Sequence, residues 1–424
     1  MSLLPEPLRI PAFRNFWLAR LTTTMGQMAM VIVIGWQVYD IARETMGLKE
    51  AALRLGIIGV VQFVPLFLLT LVTGWMADRV DRRWISRASV TLELGCALAL
   101  AWFAWRHRTT LEVLYIIAAL LGVARAFAGP ALSALAPNLV PREILPRAIA
   151  LSSMSWQAGA IIGPAIGGYL YAYEPYAPYA ASALLFATAL AGLFAIGPIP
   201  RSGLARGINP WTQMVEGLRY VRRNRLVLGA ISLDLFAVLL GGATAMLPVF
   251  ARDVLHTGPE GLGHLRAAPA IGATLTAAFF SIRPLKHNVG AKMLVAVGVF
   301  GGATILFGFS RSMPLSLACL ALLGSADMFS VYVRQSLIQL YTPDQMRGRV
   351  GAVSSLFVSA SNELGEAESG FLGAIIGPVP AVIAGGFGAL AVVLLWAWWF
   401  PELRLAKSFD VPDFDDPKLE ESRP

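Results

Sequence analysis

Long runs of apolar residues alternate with short polar connections from one end of the chain to the other. Twelve runs are long enough to cross about 30 Å of hydrocarbon as helices. They lie near 16–40, 53–77, 85–105, 111–137, 149–173, 179–198, 226–250, 262–282, 291–310, 314–340, 351–376 and 380–400. The pattern predicts an all-α polytopic membrane protein with two six-helix bundles, 1–198 and 226–403, joined by a linker at 199–225. The first run exceeds a signal-peptide core and has no small-residue cleavage site, so it is expected to remain in the mature chain. In the linker, "NPWTQMVEGLRYVRRN" reads as a helix with Asn209 as cap and Pro210 at its first position. Trp211, Met214, Val215 and Leu218 share one face, opposite Arg219, Arg222 and Arg223. Such a helix lies on the membrane surface or packs on the protein's own helix ends. Residues 404–424 are acidic and Pro-containing and read as a disordered tail.

The halves resemble each other. The stretch 122–154 aligns without a gap on 324–356: Gly122 meets Gly324, Phe127 meets Phe329, Pro141 meets Pro343, Arg147 meets Arg349, and Ser152–Ser153 meet Ser354–Ser355. Duplicated six-helix halves place a substrate site between them, near the bilayer midplane.

Composition agrees with the pattern. The chain has 424 residues, of which 56% are hydrophobic and only 14% charged, against about 25% charged in soluble proteins. Mean hydropathy is +0.64. The net charge of +8 is a topology signal and not a nucleic-acid surface. Counted with a cytoplasmic N-terminus, inner loops and flanks hold about 21 Lys/Arg and outer loops about 8. Both termini are therefore expected in the cytoplasm of a bacterial inner-membrane protein. Cys96 and Cys319 sit singly inside predicted spans, which gives neither a disulfide framework nor a metal pattern.

Between the second and third spans stands "GWMADRVDRR" (74–83), after an uncharged run from Leu55 to Thr73. An acid at a helix C-terminus opposes the helix dipole, so Asp78 needs a nearby arginine or another helix's N-terminus. Gly74, Asp78, Arg79, Arg82 and Arg83 resemble the loop signature of the Major Facilitator Superfamily, with Asp81 where that family has Gly. The resemblance implies that Asp78 is a conformational latch favouring the outward-facing state. "LGVARAFAG" resembles the family's fourth-helix arginine motif, which implies a proton-coupling role for Arg125; Ala128 replaces its Gln. "GAIIGPAIGG" supplies Gly159, Gly163, Pro164, Gly167 and Gly168 and is similar to the antiporter signature of drug–proton exchangers. Small residues there permit close helix packing, and the proline removes a backbone hydrogen bond. "GWQVYDIA", "TPDQMRGRV" and "SNELGEAESG" resemble the bacterial drug:proton antiporter branch that includes the enterobactin exporter. The resemblance spans nearly the whole chain and implies twelve helices in two pseudo-symmetric bundles.

Further charges lie within the spans. Glu93, Asp234, Asp327, Glu363 and Glu366 join Arg125 as candidates for proton coupling, with Asp327 and Glu366 favoured as carriers. Arg334 shares a face with Asp327 and is expected to pair with Glu363 or Glu366, fixing the tenth span against the eleventh. The cavity wall is expected to include Gln27, Gln37, Tyr39, Gln62, Trp156, Gln157 and Asn362, a mixture suited to an amphipathic organic solute.

An ATP-driven pump needs a phosphate-cradling Gly-Lys loop, and the chain has no Gly-Lys dipeptide. His107, His256, His264 and His287 are dispersed in predicted loops, and no hydrolase motif occurs. The expected function is secondary export of a small solute, with protons as counter-substrate, no cofactor, no metal, no nucleic acid, and a monomer in the bilayer. A passive facilitator or an uptake transporter is the alternative on the same fold, and a membrane-embedded enzyme a remoter one.

Overall fold

The computed structural model describes residues 5–198, 210–285 and 287–409, a few helix side chains excepted. The first half contains α1 (Pro11–Thr45), α2 (Leu48–Arg79), α3 (Arg82–Trp105), α4 (Leu111–Leu135), α5 (Leu145–Tyr173) and α6 (Ala177–Phe194). After α7 (Pro210–Arg223) comes α8 (Arg225–Leu240), carried on by short helical turns to Val254. The chain continues with α9 (Pro259–Ile282), α10 (Val289–Phe309), α11 (Met313–Leu340), α12 (Asp344–Ile376) and α13 (Pro378–Trp399). Among the described residues, eleven segments are long and apolar enough to cross a membrane. Apart from the short linker helix α7, the long helix outside that group is α12, whose hydropathy is diluted by Asn362, Glu363, Glu366 and Glu368. It nonetheless packs between α2, α8 and α13, so it is the twelfth spanning helix.

Pseudo-symmetry is written in the helix packing. In the first half α1 packs on α5 and α6, α2 on α4, and α3 on α4 and α6. In the second, α8 packs on α12 and α13, α9 on α11, and α10 on α11 and α13. Each pair repeats its counterpart. The two halves then meet along two equivalent seams, α2 on α12 and α5 on α9. Gly122 and Gly324, matched in the sequence repeat, occupy matching places. A Cβ on Gly122 would lie 2.8 Å from Gln62 O on α2, and one on Gly324 would lie 2.0 Å from Pro269 O on α9.

Local chemistry sets the helix ends. Asp81, Thr110 and Asn224 cap α3, α4 and α8 by accepting from the backbone N–H of Arg83, Val113 and Val227. Asp81 has φ −59, so the α2–α3 turn needs no glycine there. α8 stops at Gly241–Gly242, where bare backbone lets α12 and α13 approach. A Cβ on Gly242 would meet Gly365 O at 2.6 Å, and one on Gly385 would meet Leu240 O at 2.3 Å.

The linker helix α7 packs on the protein itself. Val221 is fully buried, the Tyr220 hydroxyl donates to Tyr341 O at 2.6 Å, and Arg349 pairs with Glu216. Trp211 and Leu218, expected on the same apolar face as Met214, remain exposed. The expected tail also begins later than residue 404. Asn288 N–H donates to Lys407 O, Gly290 N–H donates to Ala406 O, and Phe409 contacts the Tyr332 ring. Residues 199–209 and 410–424 lie outside the described residues.

Candidate functional site

With twelve spanning helices, the described ends of the chain, Pro5 and Phe409, lie on one face of the bundle, the terminal face; the opposite face is distal. Among the described residues, the short cross-half approaches of helix glycines lie toward the distal face. On the α5–α9 seam, a Cβ on Gly168 would lie 2.4 Å from Pro259 O, and one on Gly263 would lie 2.8 Å from Pro164 O. On the α2–α12 seam, a Cβ on Gly370 would lie 2.2 Å from Gly56 Cα and 3.2 Å from Ala52 O. The remaining glycines of the α5 motif face α1 in the same half: Gly159 meets Thr24, Gly163 meets Met25 O and Gly167 meets Ala29. Thus one motif serves two interfaces. Gly159, Gly163 and Gly167 fasten α5 to α1, and Gly168 with Pro164 brings α5 against the other half.

A charged clasp closes the distal face beside these seams. Asp40 pairs with Arg252, and Arg43 with Asp253 at 3.2 Å. The Tyr39 hydroxyl also donates to Asp253, at 2.5 Å. Lys49 donates to Ile375 O at 2.8 Å, tying the start of α2 to the end of α12. Tyr39 is fully buried in this clasp, so it does not line the expected cavity. Gln37 is likewise buried, accepting from the Tyr179 hydroxyl at 2.6 Å inside the first half. His264, expected in a loop, is in α9 and hydrogen-bonded to the Tyr169 hydroxyl at 2.8 Å.

At the centre a cross-half ion pair joins α4 to α12. Arg125 lies 3.0 Å from Glu363 and donates to Gln62 Oε1 on α2 at 2.9 Å. Glu363 and Gln62 are buried while Arg125 keeps about a third of its side chain accessible. Behind them Glu93 is wholly buried, accepts from Gln27 at 2.5 Å and leaves its second oxygen without a partner. One turn along α12, Glu366 lies 3.5 Å from Arg266 of α9. Arg266 also reaches Thr244 O just past the break in α8. Trp156 and Asn362 are exposed and Gln157 is half-buried, so these three keep the access that a cavity wall requires.

Arg334 does not pair with either α12 glutamate. It lies 2.8 Å from Asp234 of α8, and both side chains are buried. Periodicity assigned Arg334 to a face of α11 correctly; it could not reveal that α8 covers that face. Asp327 and Ser330 of the same helix line a cavity of about 10 Å³ with Asp234, Ala237 and Phe300. Asp234, Asp327 and Arg334 thus form a trio within the second half, on α8 and α11 and away from the α2–α12 and α5–α9 seams.

In the α2–α3 connection, Arg83 bonds Asp81 at 2.6 Å and donates to Ile196 O at the end of α6. Arg87 donates to Leu193 O and Ile196 O and stands over the Trp84 and Phe194 rings. These cations satisfy the last carbonyls of α6. Arg83 therefore acts within the first half in this conformation. The side chains of Gly74, Asp78 and Arg79 lie outside the described residues.

The site also contains residues that sequence reasoning passed over: Asp40, Arg43, Arg252, Asp253 and Arg266. The signal was present as charge at the ends of the first and seventh spans and within the eighth, but charges at span ends read as loop residues.

Comparison with known proteins agrees with this geometry. Residues 4–422 match the family model described as transmembrane secretion effector. The enterobactin exporter EntS of Escherichia coli O1:K1 / APEC is 28% identical over 401 residues, covering 93% of each chain. Its counterpart from Shigella boydii serotype 18 matches to the same extent. Among solved structures, a bacterial homolog of the human lysosomal transporter Spinster, inward-facing and occupied, superposes with a TM-score of 0.73 at 14% identity. That match covers 95% of this chain and 100% of the other. A bacterial homologue of the iron transporter ferroportin, inward-facing, gives 0.65 at 20% identity, covering 96% and 100%.

Proposed function

Because the chain belongs to the transmembrane secretion effector family and is a multi-span membrane transporter, we propose that it exports an amphipathic organic solute across a bacterial cytoplasmic membrane in exchange for protons. Both termini face the cytoplasm, as the loop arginines suggest. The distal face is then the outer one, and this conformation is closed outside. Likeness to the enterobactin exporters supports an exported cargo of siderophore-like or drug-like size. Labelling of a cysteine introduced beside Arg206 from the cytoplasmic side alone checks the orientation; labelling only from outside reverses it.

The observation that carries the coupling is the Arg125–Glu363 pair, because it joins the halves and is braced by Gln62. Opening the distal seams carries α12 away from α4 and breaks that pair. A carboxylate separated from its guanidinium in a low-dielectric site binds a proton from outside, because an isolated buried charge is costly. Closure returns Arg125 to Glu363. Only the ionised acid can re-form the pair, so the proton leaves toward the cytoplasm after the cavity has switched. Cargo moves outward in the opposite half-cycle. The sequence favours Glu366 and Asp327 as carriers; their positions, on Arg266 and inside the second-half trio, give them a supporting part.

Proteoliposomes with an imposed pH gradient test this. Glu363→Gln is expected to abolish gradient-driven efflux of a fluorescent dye while sparing energy-independent exchange. Full concentrative efflux with unchanged pH dependence would remove Glu363 from the coupling, and loss of both modes would mark it as structural.

A further inference from the structure

Arg20 is the exception among the arginines set deep in the helices. Arg125, Arg266 and Arg334 each meet a carboxylate. Arg20 has no ion pair or side-chain hydrogen bond among the described residues, and its Nε is buried without a partner. A guanidinium within a membrane span is costly, and such groups face an interior or wet cavity where a counter-charge meets them. Leu18, on the opposite side of α1, is exposed, whereas Arg20 is half-buried on the same side as buried Thr23.

That side of α1 is polar. Arg20, Thr23 and Gln27 fall at i, i+3 and i+7 on α1, on one face over about 10 Å. Gln27 at its upper end is occupied by Glu93. Thr23 is 2% exposed, and its hydroxyl also has no partner. A guanidinium and a hydroxyl on successive turns, both unspent, present donors to a planar or tetrahedral oxyanion. Trp17, one turn below Arg20, is held by its Nε1–H bond to Leu151 O and offers an aromatic wall beside them. Gln157 and exposed Trp156 belong to α5, the helix that packs on α1.

We propose that Arg20 and Thr23 bind an acidic group of the cargo, so that the transported solute is an organic anion with an aromatic or otherwise apolar body. This rests on the exporter reading and narrows its substrate class. Arg125 is paired with Glu363 in the closed-outside conformation, whereas Arg20 has no carboxylate partner among the described residues and can meet the charge of a solute entering from the terminal face. The anion supplies the charge that the fold withholds. Its departure on the outer side leaves Arg20 uncompensated, which favours return of the empty protein to the state that can be reloaded.

Matched probes separate charge from shape. The full-length protein in nanodiscs would be titrated with 2-naphthoate, 2-naphthalenesulfonate and the neutral 2-naphthamide, reading equilibrium binding. The wild type is expected to prefer each acid over the amide by at least tenfold. Arg20→Gln should remove that preference while binding the amide as before, Arg20→Lys should restore part of it, and Thr23→Val should weaken it several-fold. Absence of a preference in the wild type, or its survival in Arg20→Gln, overturns the assignment. Dye efflux by the wild type in proteoliposomes is measured in parallel. Efflux without anion preference retains the exporter and rejects this site, whereas anion preference without efflux retains the site and rejects the exporter.

Discussion

Gly370 of α12 and Gly56 of α2 meet backbone against backbone, with 2.2 Å between Gly56 Cα and the place a Cβ on Gly370 would take. The same relation holds on the other seam between Gly168 and Pro259. Gly168 and Gly370 are related by the 202-residue offset of the sequence repeat, and the residues they meet, Pro259 and Gly56, stand on the corresponding helices α9 and α2. Closure of the distal face thus uses one contact made twice, and neither copy has room for a methyl group.

Gly370→Ala should therefore disfavour the closed-outside state without harming the half it sits in. Overpacking a close contact costs about 1–3 kcal/mol, which shifts a two-state population roughly 5- to 150-fold. Spin-label distances between the distal ends of α2 and α12 should lengthen in the variant. Gly168→Ala should act alike, and the pair should exceed either alone. Unchanged distances would mean that the seam yields elsewhere.

Much of this arrangement was legible in the sequence because hydrophobic length and small-residue motifs are local signals. Twelve runs foretold the helices, including α12, where the glutamates weaken the apolar pattern. The α5 glycines were visible as a packing seam, although their division between α1 and α9 was not. What remained hidden was partnership at long range. Arg334 could be placed on a helix face, but its choice of Asp234 over Glu363 depends on α8 and α12 being arranged around α11 in space. Tyr39 and Gln37 looked like cavity residues because a polar group in a span usually faces water. Here both are satisfied by other side chains, Asp253 and Tyr179.

Asp234 and Arg334 lead to a stability prediction. Breaking a buried pair by removing one partner costs about 3–5 kcal/mol, because the remaining charge is uncompensated. Asp327 lines the same small cavity and can take over part of the pairing. Asp234→Asn alone should lose less than that range, and Asp234→Asn with Asp327→Asn should lose more than the two single losses added. Unfolding in increasing SDS, followed by far-UV circular dichroism, measures the difference. Strict additivity would show that Asp327 does not reach Arg334.

Asp78 is proposed as a latch at the terminal end of α2, on the strength of its motif and its place at a helix C-terminus. Since the distal face is closed here, the latch belongs to the opposite state. Asp78→Asn should leave insertion and melting temperature unchanged while reducing transport at least tenfold. Spin labels on the distal helix ends should show a smaller open population. Normal transport with unchanged distances would leave Asp78 an ordinary loop charge.

The clasp formed by Asp40, Arg43, Arg252 and Asp253 should matter less than the glycines. Its two ion pairs keep between 23% and 38% of each side chain accessible. Partly exposed pairs contribute about 0.2–1 kcal/mol each and are screened by salt. Loss of one pair therefore moves the population at most about fivefold. Asp40→Asn should accelerate labelling of a cysteine placed behind the distal seam by no more than that factor, and high salt should reproduce most of the effect in the wild type. The Asp40→Arg, Arg252→Asp exchange should restore slow labelling, because it rebuilds the pair with its ends reversed. Asp253→Ala should have the larger effect of the single changes, since it frees Arg43 and removes the acceptor of the Tyr39 hydroxyl together. If Asp40→Asn opened the distal face as far as Gly370→Ala does, electrostatics and not backbone fit would be closing it, and the ranking argued here would be reversed.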